Sequence, residues 1–126
     1  MVIDDSLFAR TEVKETVTAE NREIVEASCV PDALDIVHEQ KDISLFIVDY
    51  YMPDQNGLQF VEKLREIAEY KENPILMLTT ESDDSLKTKA KSLGVTAWVT
   101  KPFDAEQLKN VVNLIFESII KNKAAS

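Results

Sequence analysis

The sequence predicts an α/β protein in which five β-strands alternate with five α-helices around one doubly wound parallel sheet. Short apolar runs bounded by turn residues recur along the chain, and the run 44–48 has the length and composition of a strand buried on both faces. Segments with the apolar spacing of helices lie between these runs. This alternation indicates a parallel sheet that is covered by helices on both faces.

The first half of the chain is predicted to hold three strands and two helices. Ser6 or Asp5 can cap the first helix, and Phe8, Val13 and Val17 are its expected inward-facing residues. The second helix shows the apolar spacing of a helix packed on a sheet. In order, the predicted elements are a short strand at 1–3, a helix at about 7–18, a strand at 23–27, a helix that starts near Pro31 and a strand at 44–48.

The second half is predicted to hold three helices and two strands, and its turn residues mark most of the boundaries. Asn73 and Pro74 break the third helix, and Gly94 is the expected residue after the fourth. We predict one domain over 1–122 and a flexible tail at 123–126. The predicted elements are a helix at 57–68, a strand at 75–78, a helix at 83–93, a strand at 95–100 and a helix at 104–121.

Composition excludes several classes of protein. With 126 residues the chain suits a single domain, and its net charge of −9 argues against direct binding to nucleic acid. The single cysteine, Cys29, excludes an internal disulfide and a cysteine-based zinc site. No apolar run approaches the roughly 18 residues of a membrane span, so we expect no membrane insertion. We expect a cytoplasmic location from the one thiol and from the absence of a signal-peptide pattern.

Polar residues follow four of the predicted strands. Asp4 and Asp5 end the first strand, Asp49 the third, Thr79 the fourth and Lys101 the fifth. An acid after a strand is by itself often only a turn or capping residue. In a parallel sheet, however, all of these strand ends lie on one edge, which is where open α/β sheets bind their ligands. We therefore predict a functional crevice at this edge, centred on Asp49.

The residue types in this crevice indicate phosphoryl chemistry that depends on a cation. Three close carboxylates repel one another unless a cation or protons lie between them, and oxygen-only ligands favour Mg²⁺. A carboxylate beside such an ion can attack phosphorus and form an aspartyl phosphate. The Lys101 ammonium supplies a positive charge, and the Thr79 hydroxyl can donate a hydrogen bond to a phosphoryl oxygen.

The motifs along the chain resemble the receiver domain of two-component response regulators, and most closely the single-domain chemotaxis regulators of the CheY type. The resemblance covers essentially the whole chain. It implies a flavodoxin-like sheet with strand order 2-1-3-4-5. The motifs are Asp4-Asp5-Ser6, Asp49 followed by Met52-Pro53 and Gly57, Leu78-Thr79-Thr80-Glu81, and Lys101-Pro102-Phe103.

The resemblance also implies a role for each group at the metal. Asp49 would be the phosphoacceptor. Asp5 and Asp49 would bind Mg²⁺ directly together with the backbone carbonyl of Tyr51, and Asp4 would act largely through water.

Further roles are implied for residues around the phosphoryl group. Lys101 would contact that group, the peptide bond before Pro102 would be cis, and Thr79 would move toward the phosphoryl group after transfer. Trp98 stands where the family usually has a switching aromatic, and the alternative is a rim aromatic with its indole N–H in water. Tyr51 and Glu81 stand where side chains border the path of the hydrolytic water. We expect Tyr51 to shield the acyl phosphate and Glu81 to orient water.

The implied function is a phosphorylation-driven signalling switch in chemotaxis or motility control, not an enzyme with a separate substrate. Its only catalysis would be its own phosphorylation and dephosphorylation. A histidine kinase would be the donor, and a target protein would bind the surface of helix four, strand five and helix five, with a homodimer through that surface as a further expectation. Two alternatives stay open: a constitutive interaction module with the same fold, and the receiver part of a larger effector protein.

Overall fold

The computed structural model describes residues 1–19 and 21–125. The side chains of these residues are described through residue 122. Its elements alternate as the sequence predicts, with one additional 3₁₀ turn at Ala68–Tyr70. In chain order they are β1 Val2–Ile3, α1 Leu7–Val17, β2 Glu26–Ala27, α2 Val30–Glu39, β3 Phe46–Val48, α3 Gly57–Leu64, β4 Ile75–Thr79, α4 Asp84–Ser92, β5 Ala97–Thr100 and α5 Ala105–Ala125.

The five strands form one parallel sheet in the order β2-β1-β3-β4-β5, which confirms the predicted fold class and strand order. The order changes direction between β1 and β3. In open α/β sheets a crevice forms at such a point, beyond the carboxyl ends of the two strands. The fold therefore places a crevice where β1 and β3 end.

Two apolar clusters, one on each face of the sheet, hold the helices in place. On one face α2 and α3 pack with Ala90 of α4, and on the other face α1 packs with α5. The strands contribute alternate residues to the two faces: Phe46 and Val48 belong to the first cluster and Ile47 to the second. Burial on both faces explains why β3 reads as a continuous apolar run.

Several of the predicted strands and helices are longer than those in the structure. The second strand is regular only at Glu26–Ala27, and α3 ends at Leu64 rather than near residue 68. Asp83, where the fourth helix was predicted to begin, caps α4 by accepting backbone N–H groups at its start, and Gly94 follows its end at a φ of +80°. Such a φ suits glycine, and the prediction that Gly94 follows the end of the fourth helix is confirmed.

Phe8 was predicted to face inward, and this prediction is wrong. Its side chain is 79% exposed, whereas Val13 and Val17 are buried. At about 100° per residue, Phe8 lies nearly opposite Val17 around α1, so the helix directs the Phe8 side chain toward solvent. On α5, Leu114 and Ile120 are also exposed.

The chain end is only partly within the described residues. The helix α5 continues to Ala125, beyond the predicted end near residue 121. Of the predicted tail at 123–126, residue 126 and the side chains of 123–125 lie outside the described part of the chain. Among the described residues, no helix combines the length and the apolar character needed to cross a bilayer.

Candidate phosphoryl-accepting site

Three carboxylates meet at the carboxyl edge of the sheet, where β1 and β3 end. Ile3 lies opposite Val48 in the parallel register, so the residues that follow, Asp4 and Asp49, emerge side by side. Asp4 is 5% exposed and Asp49 9%, whereas Asp5 is open to solvent. One carboxylate oxygen from each acid lies within 4.8 Å of the other two. The structure therefore brings together the acids that follow two separate strands.

The Lys101 ammonium joins these acids from the end of β5. Its Nζ lies 2.6 Å from Asp4 Oδ2 and 3.2 Å from Asp49 Oδ2. Burial alone would lower the pKa of Lys101, but hydrogen bonds and charge interactions with the two aspartates outweigh burial and raise the pKa above its ordinary value of 10.5. The lysine is therefore charged at neutral pH and offsets part of the repulsion among the carboxylates.

Local backbone contacts hold Asp49 in place. The Tyr51 N–H donates to Asp49 Oδ1 at 3.1 Å, and the Gly57 N–H donates to the Tyr50 carbonyl at 2.8 Å. A Cβ atom at Gly57 would lie only 2.2 Å from the Asp49 carbonyl oxygen, so no other residue fits without displacing that backbone. Asn56 caps α3 directly before this glycine. The start of α3 thus packs against the backbone of the predicted phosphoacceptor.

Asp4 is held by a residue that sequence reasoning missed. The Arg10 guanidinium donates to the Asp4 carbonyl at 2.7 Å and pairs with Glu26 at 3.2 Å. The Ser6 N–H donates to Asp4 Oδ1 at 2.9 Å. Arg10 stands one turn after the Ser6 cap of α1, and no pattern of residue types indicated it because its target is a main-chain carbonyl.

The ends of β4 and β5 complete the edge. Thr79 is fully buried, and its hydroxyl oxygen accepts the Glu81 N–H at 3.4 Å. The Lys101 N–H donates to the Thr79 carbonyl at 2.9 Å, which keeps the ends of the two strands in register. The peptide bond between Lys101 and Pro102 is cis, as the resemblance implies, and Pro102 is exposed.

Glu81 links two aromatic side chains beside the site. The Tyr51 hydroxyl donates to Glu81 Oε1, and the Trp98 indole N–H donates to the Glu81 carbonyl at 2.9 Å. The first hydrogen bond raises the pKa of Tyr51 and lowers that of Glu81. The Trp98 indole N–H is thus bonded to protein, whereas a rim aromatic was expected to have its N–H in water. The sequence indicated Tyr51 and Glu81 separately, and their matching positions two residues beyond Asp49 and Thr79 are the signal for a pair.

The donor set at this edge fits a hard divalent cation. All the side-chain donors are carboxylate oxygens, which favour Mg²⁺ over softer metals. Asp5 is exposed and could reach an ion from the solvent side, whereas Asp4 already pairs with Lys101. Of the predicted metal ligands, Asp4, Asp5 and Asp49 are therefore close enough to share one ion, and the Tyr51 backbone lies next to Asp49.

A protein-family model and two chemotaxis proteins match most of this chain. A family model described as the response regulator receiver domain matches residues 1–113. A chemotaxis protein CheY homolog of Campylobacter jejuni is 34% identical over 110 residues, which cover 86% of this chain and 85% of the relative. Chemotaxis protein CheY1 of Helicobacter pylori is 33% identical over 116 residues, which cover 91% of this chain and 94% of the relative.

A solved structure agrees with these relatives. The chemotaxis protein CheY4 of Vibrio cholerae matches with a TM-score of 0.83 at 33% identity, covering 90% of this chain and 94% of that chain. The family model spans the segment that contains the three acids, Thr79 and Lys101. The chain therefore belongs to the response regulator receiver domain family of two-component signalling proteins.

Proposed function

We propose that this receiver domain accepts a phosphoryl group on Asp49 from a histidine kinase and then changes its affinity for a target protein. The observation that carries the proposal is the meeting of Asp49 with two further carboxylates and the Lys101 ammonium at one edge of the sheet. Similarity to the chemotaxis proteins of Campylobacter jejuni and Helicobacter pylori supports a role in chemotaxis or motility control.

Asp5, Asp49 and the Tyr51 backbone carbonyl would hold Mg²⁺, with Asp4 acting through water. When bound, the ion supplies positive charge that neutralises the phosphoryl oxygens. Without a metal, the three carboxylates lie close enough to repel one another, and Lys101 offsets only part of that repulsion. The acids are therefore proposed to serve two purposes, since Asp49 reacts and the other two lower the cost of bringing cationic charge beside it.

Transfer exchanges one bond at phosphorus for another. A carboxylate oxygen of Asp49 attacks the phosphorus of a phosphohistidine, the phosphorus–nitrogen bond breaks, and its electron pair stays on the histidine nitrogen. Lys101 then pairs with a phosphoryl oxygen in addition to Asp4, and the Thr79 hydroxyl donates to another. Lys101 and Thr79 are therefore proposed to stabilise the charge of the group that Asp49 has acquired.

The response would pass from the site to the surface of α4, β5 and α5. We propose that Trp98 reorients after Thr79 moves, and that Pro102 shapes the chain directly after Lys101. The exposed Leu114 and Ile120 on α5 support an apolar contact with a target, or with a second copy through the same surface. The receiver domain is proposed to span 1–122 and to act in the cytoplasm as a switch whose catalysis is limited to its own phosphoryl group.

Two side chains are proposed to set the lifetime of the phosphoryl group. Tyr51 and Glu81 lie in the loops after β3 and β4, with Tyr51 two residues beyond Asp49. Tyr51 would shield the acyl phosphate, and Glu81 would orient the hydrolytic water. The rate of dephosphorylation after Tyr51→Asn tests this role, and an unchanged rate would remove it.

Mass spectrometry of the intact protein tests the central proposal. The protein is incubated with Mg²⁺ and an acyl phosphate, and the modified residue is then mapped. We expect the mass of one phosphoryl group to be added to the wild type and nothing to be added to Asp49→Asn. Asp54→Asn is the matched control, because it makes the same chemical change at an exposed position farther along the same loop. Modification that persists in Asp49→Asn, or a wild type that takes up nothing, would contradict the proposal.

A further inference from the structure

The hydrogen bond between Tyr51 and Glu81 joins two loops beside Asp49. The Tyr51 hydroxyl, in the loop after β3, donates to Glu81 Oε1, in the loop after β4. The side chain of Tyr51 is otherwise weakly held, since 52% of the residue is exposed and its ring meets that of Tyr50 edge-on at 5.1 Å. The position of the phenol therefore depends strongly on this one polar contact.

The Glu81 carboxylate is occupied on both oxygens. Oε1 accepts from Tyr51, while Oε2 accepts the backbone N–H groups of Ser82 at 3.0 Å and Asp83 at 3.1 Å. A carboxylate has about four acceptor positions, and three of them are used here. The group is directed toward the phenol and the start of α4, so its capacity to accept a proton from water near Asp49 is reduced.

The main chain of Glu81 carries a third contact. Its carbonyl accepts the Trp98 indole N–H at 2.9 Å. The backbone that presents the carboxylate to Tyr51 is thus the same backbone that anchors the indole. A change at the phenol can reach Trp98 through one residue, without any movement of β4.

We propose that Tyr51 is a positioning residue for Glu81: its hydroxyl holds the Glu81 carboxylate away from the water that attacks the aspartyl phosphate, and it fixes the backbone that anchors Trp98. The proposal rests on the function proposed above, and it restricts the water-orienting role of Glu81 to molecules in which the contact with Tyr51 is broken. It treats Tyr51 and Glu81 as one unit, whereas separate shielding and water-orienting roles would make their effects independent.

The affected step is hydrolysis of the phosphoryl group. The oxygen of a water molecule attacks phosphorus, the bond from phosphorus to the Asp49 oxygen breaks, and its electron pair stays on the carboxylate. One water proton remains on the hydrogen phosphate that leaves, and the other is released to solvent. A carboxylate that is free to accept the second proton accelerates this step.

A double-mutant cycle tests the pairing. Tyr51→Phe keeps the ring and removes only the hydroxyl, and Glu81→Ala removes the carboxylate. After phosphorylation by an acyl phosphate and removal of the donor, we expect the phosphoryl group to decay about two- to ten-fold faster in Tyr51→Phe, the range that the loss of one hydrogen bond allows. In the Glu81→Ala background, the same change at residue 51 is expected to have no effect on the decay. Equal effects in both backgrounds would overturn the proposal.

Fluorescence of Trp98, the only tryptophan, tests the link without phosphorylation or metal. In chelator, we expect the emission of Tyr51→Phe to shift to longer wavelength as Glu81 and the indole become more mobile. Tyr50→Phe is the matched control, because the Tyr50 hydroxyl has no hydrogen-bond partner among the described residues, and its emission should equal that of the wild type. Identical emission from Tyr51→Phe and the wild type would also overturn the proposal. A wild type that takes up no phosphoryl group would refute the proposed function, and the fluorescence comparison would still decide the link.

Discussion

The helices α3 and α4 are nearly equal in length, but the sheet holds them very differently. Of the eight residues of α3, five are buried, whereas Ala90 is the only buried residue among the nine of α4. The first buried residue of α3, Gly57, lies against the Asp49 backbone. The helix next to the proposed phosphoacceptor is therefore fixed by apolar burial, which is the largest stabilising contribution available to it.

The attachments of α4 are mostly polar. Lys89 pairs with Glu62 at 2.9 Å, but both side chains are about half exposed, and such a pair contributes only about 0–1 kcal/mol. Arg65 donates to the Leu93 and Gly94 carbonyls and thus holds the end of α4 from outside the helix. Segments with few buried apolar contacts open most easily. The two helices therefore differ in role. The buried helix α3 positions Asp49, whereas the weakly held helix α4 and Glu81 before it are free to move in response to a change at Asp49.

The largest expected difference between the two helices is in core truncation. Phe60 of α3 is fully buried against Phe46, and Phe60→Ala should lower the free energy of unfolding by about 3–5 kcal/mol. Leu86 of α4 is only partly buried, and Leu86→Ala should cost about 1 kcal/mol. Urea unfolding of both variants in chelator measures the two losses. Equal losses would mean that α4 is held as firmly as α3.

The next effect concerns the ion pair that ties the end of β5 to β1. Crowding of the acids predicts that Asp4→Asn and Asp5→Asn both raise the melting temperature without metal. The structure revises this for Asp4, because Asp4→Asn weakens a contact with Lys101 worth about 1.5–3 kcal/mol and should lower the melting temperature. Asp5 is exposed, and Asp5→Asn should still raise it modestly.

Thermal melting of both variants in chelator decides between crowding and pairing. Because the pairing raises the pKa of Lys101, its stabilising contribution is fully present below pH 10.5 and is lost as the pH rises through the higher folded-state pKa. The Asp4→Asn deficit should therefore persist at neutral pH and shrink in strongly alkaline solution. A rise in melting temperature for Asp4→Asn at neutral pH would show that repulsion outweighs the ion pair.

Alanine substitutions at Gly57 and Gly94 compare the two helices again, because both should lower the free energy of unfolding by similar amounts. Gly57→Ala forces a Cβ against the Asp49 backbone and should cost about 1–3 kcal/mol, and it should also slow phosphorylation of Asp49. Gly94→Ala, at the end of α4, places alanine at a φ of +80° and should cost about 1–2 kcal/mol without slowing phosphorylation. Unfolding curves and rates of mass gain with an acyl phosphate measure both quantities. Slower phosphorylation in Gly94→Ala would remove the distinction.

The smallest effects are expected at the helix caps. Asn56 caps α3 in a reciprocal arrangement with Gln59, and Asp83 caps α4. Truncation of either to alanine should cost about 0.5–2 kcal/mol. Hydrogen exchange should show that Asp83→Ala increases opening only within α4, whereas Asn56→Ala lowers protection throughout the sheet. Global loss of protection in Asp83→Ala would contradict the independence of α4.

Sequence reasoning succeeded where a feature depends on local pattern. The strand predicted at 44–48 is present, although it is regular only at Phe46–Val48, and Asp49 and Lys101 lie just beyond strand ends as predicted, because burial on both faces and parallel topology leave a clear pattern of residue types. It failed at Phe8, which helical spacing places nearly opposite the buried Val17 around α1, because the prediction followed the apolar character of the side chain rather than its position. Helical spacing decides which residues share the buried face, and an apolar side chain off that face can remain in solvent.

The order of the elements and the family could be predicted from the residues alone, because periodicity, turn residues and short motifs are properties of neighbouring positions. The pairing of Lys101 with Asp4 joins residues 97 positions apart, and that of Tyr51 with Glu81 joins residues 30 positions apart. Which of the available acids the ammonium contacts, and whether the phenol meets the carboxylate, depends on strand register and on the loops that packing allows. Those choices arise only when the chain is folded, since a hydrogen bond requires positions set to within a few tenths of an ångström.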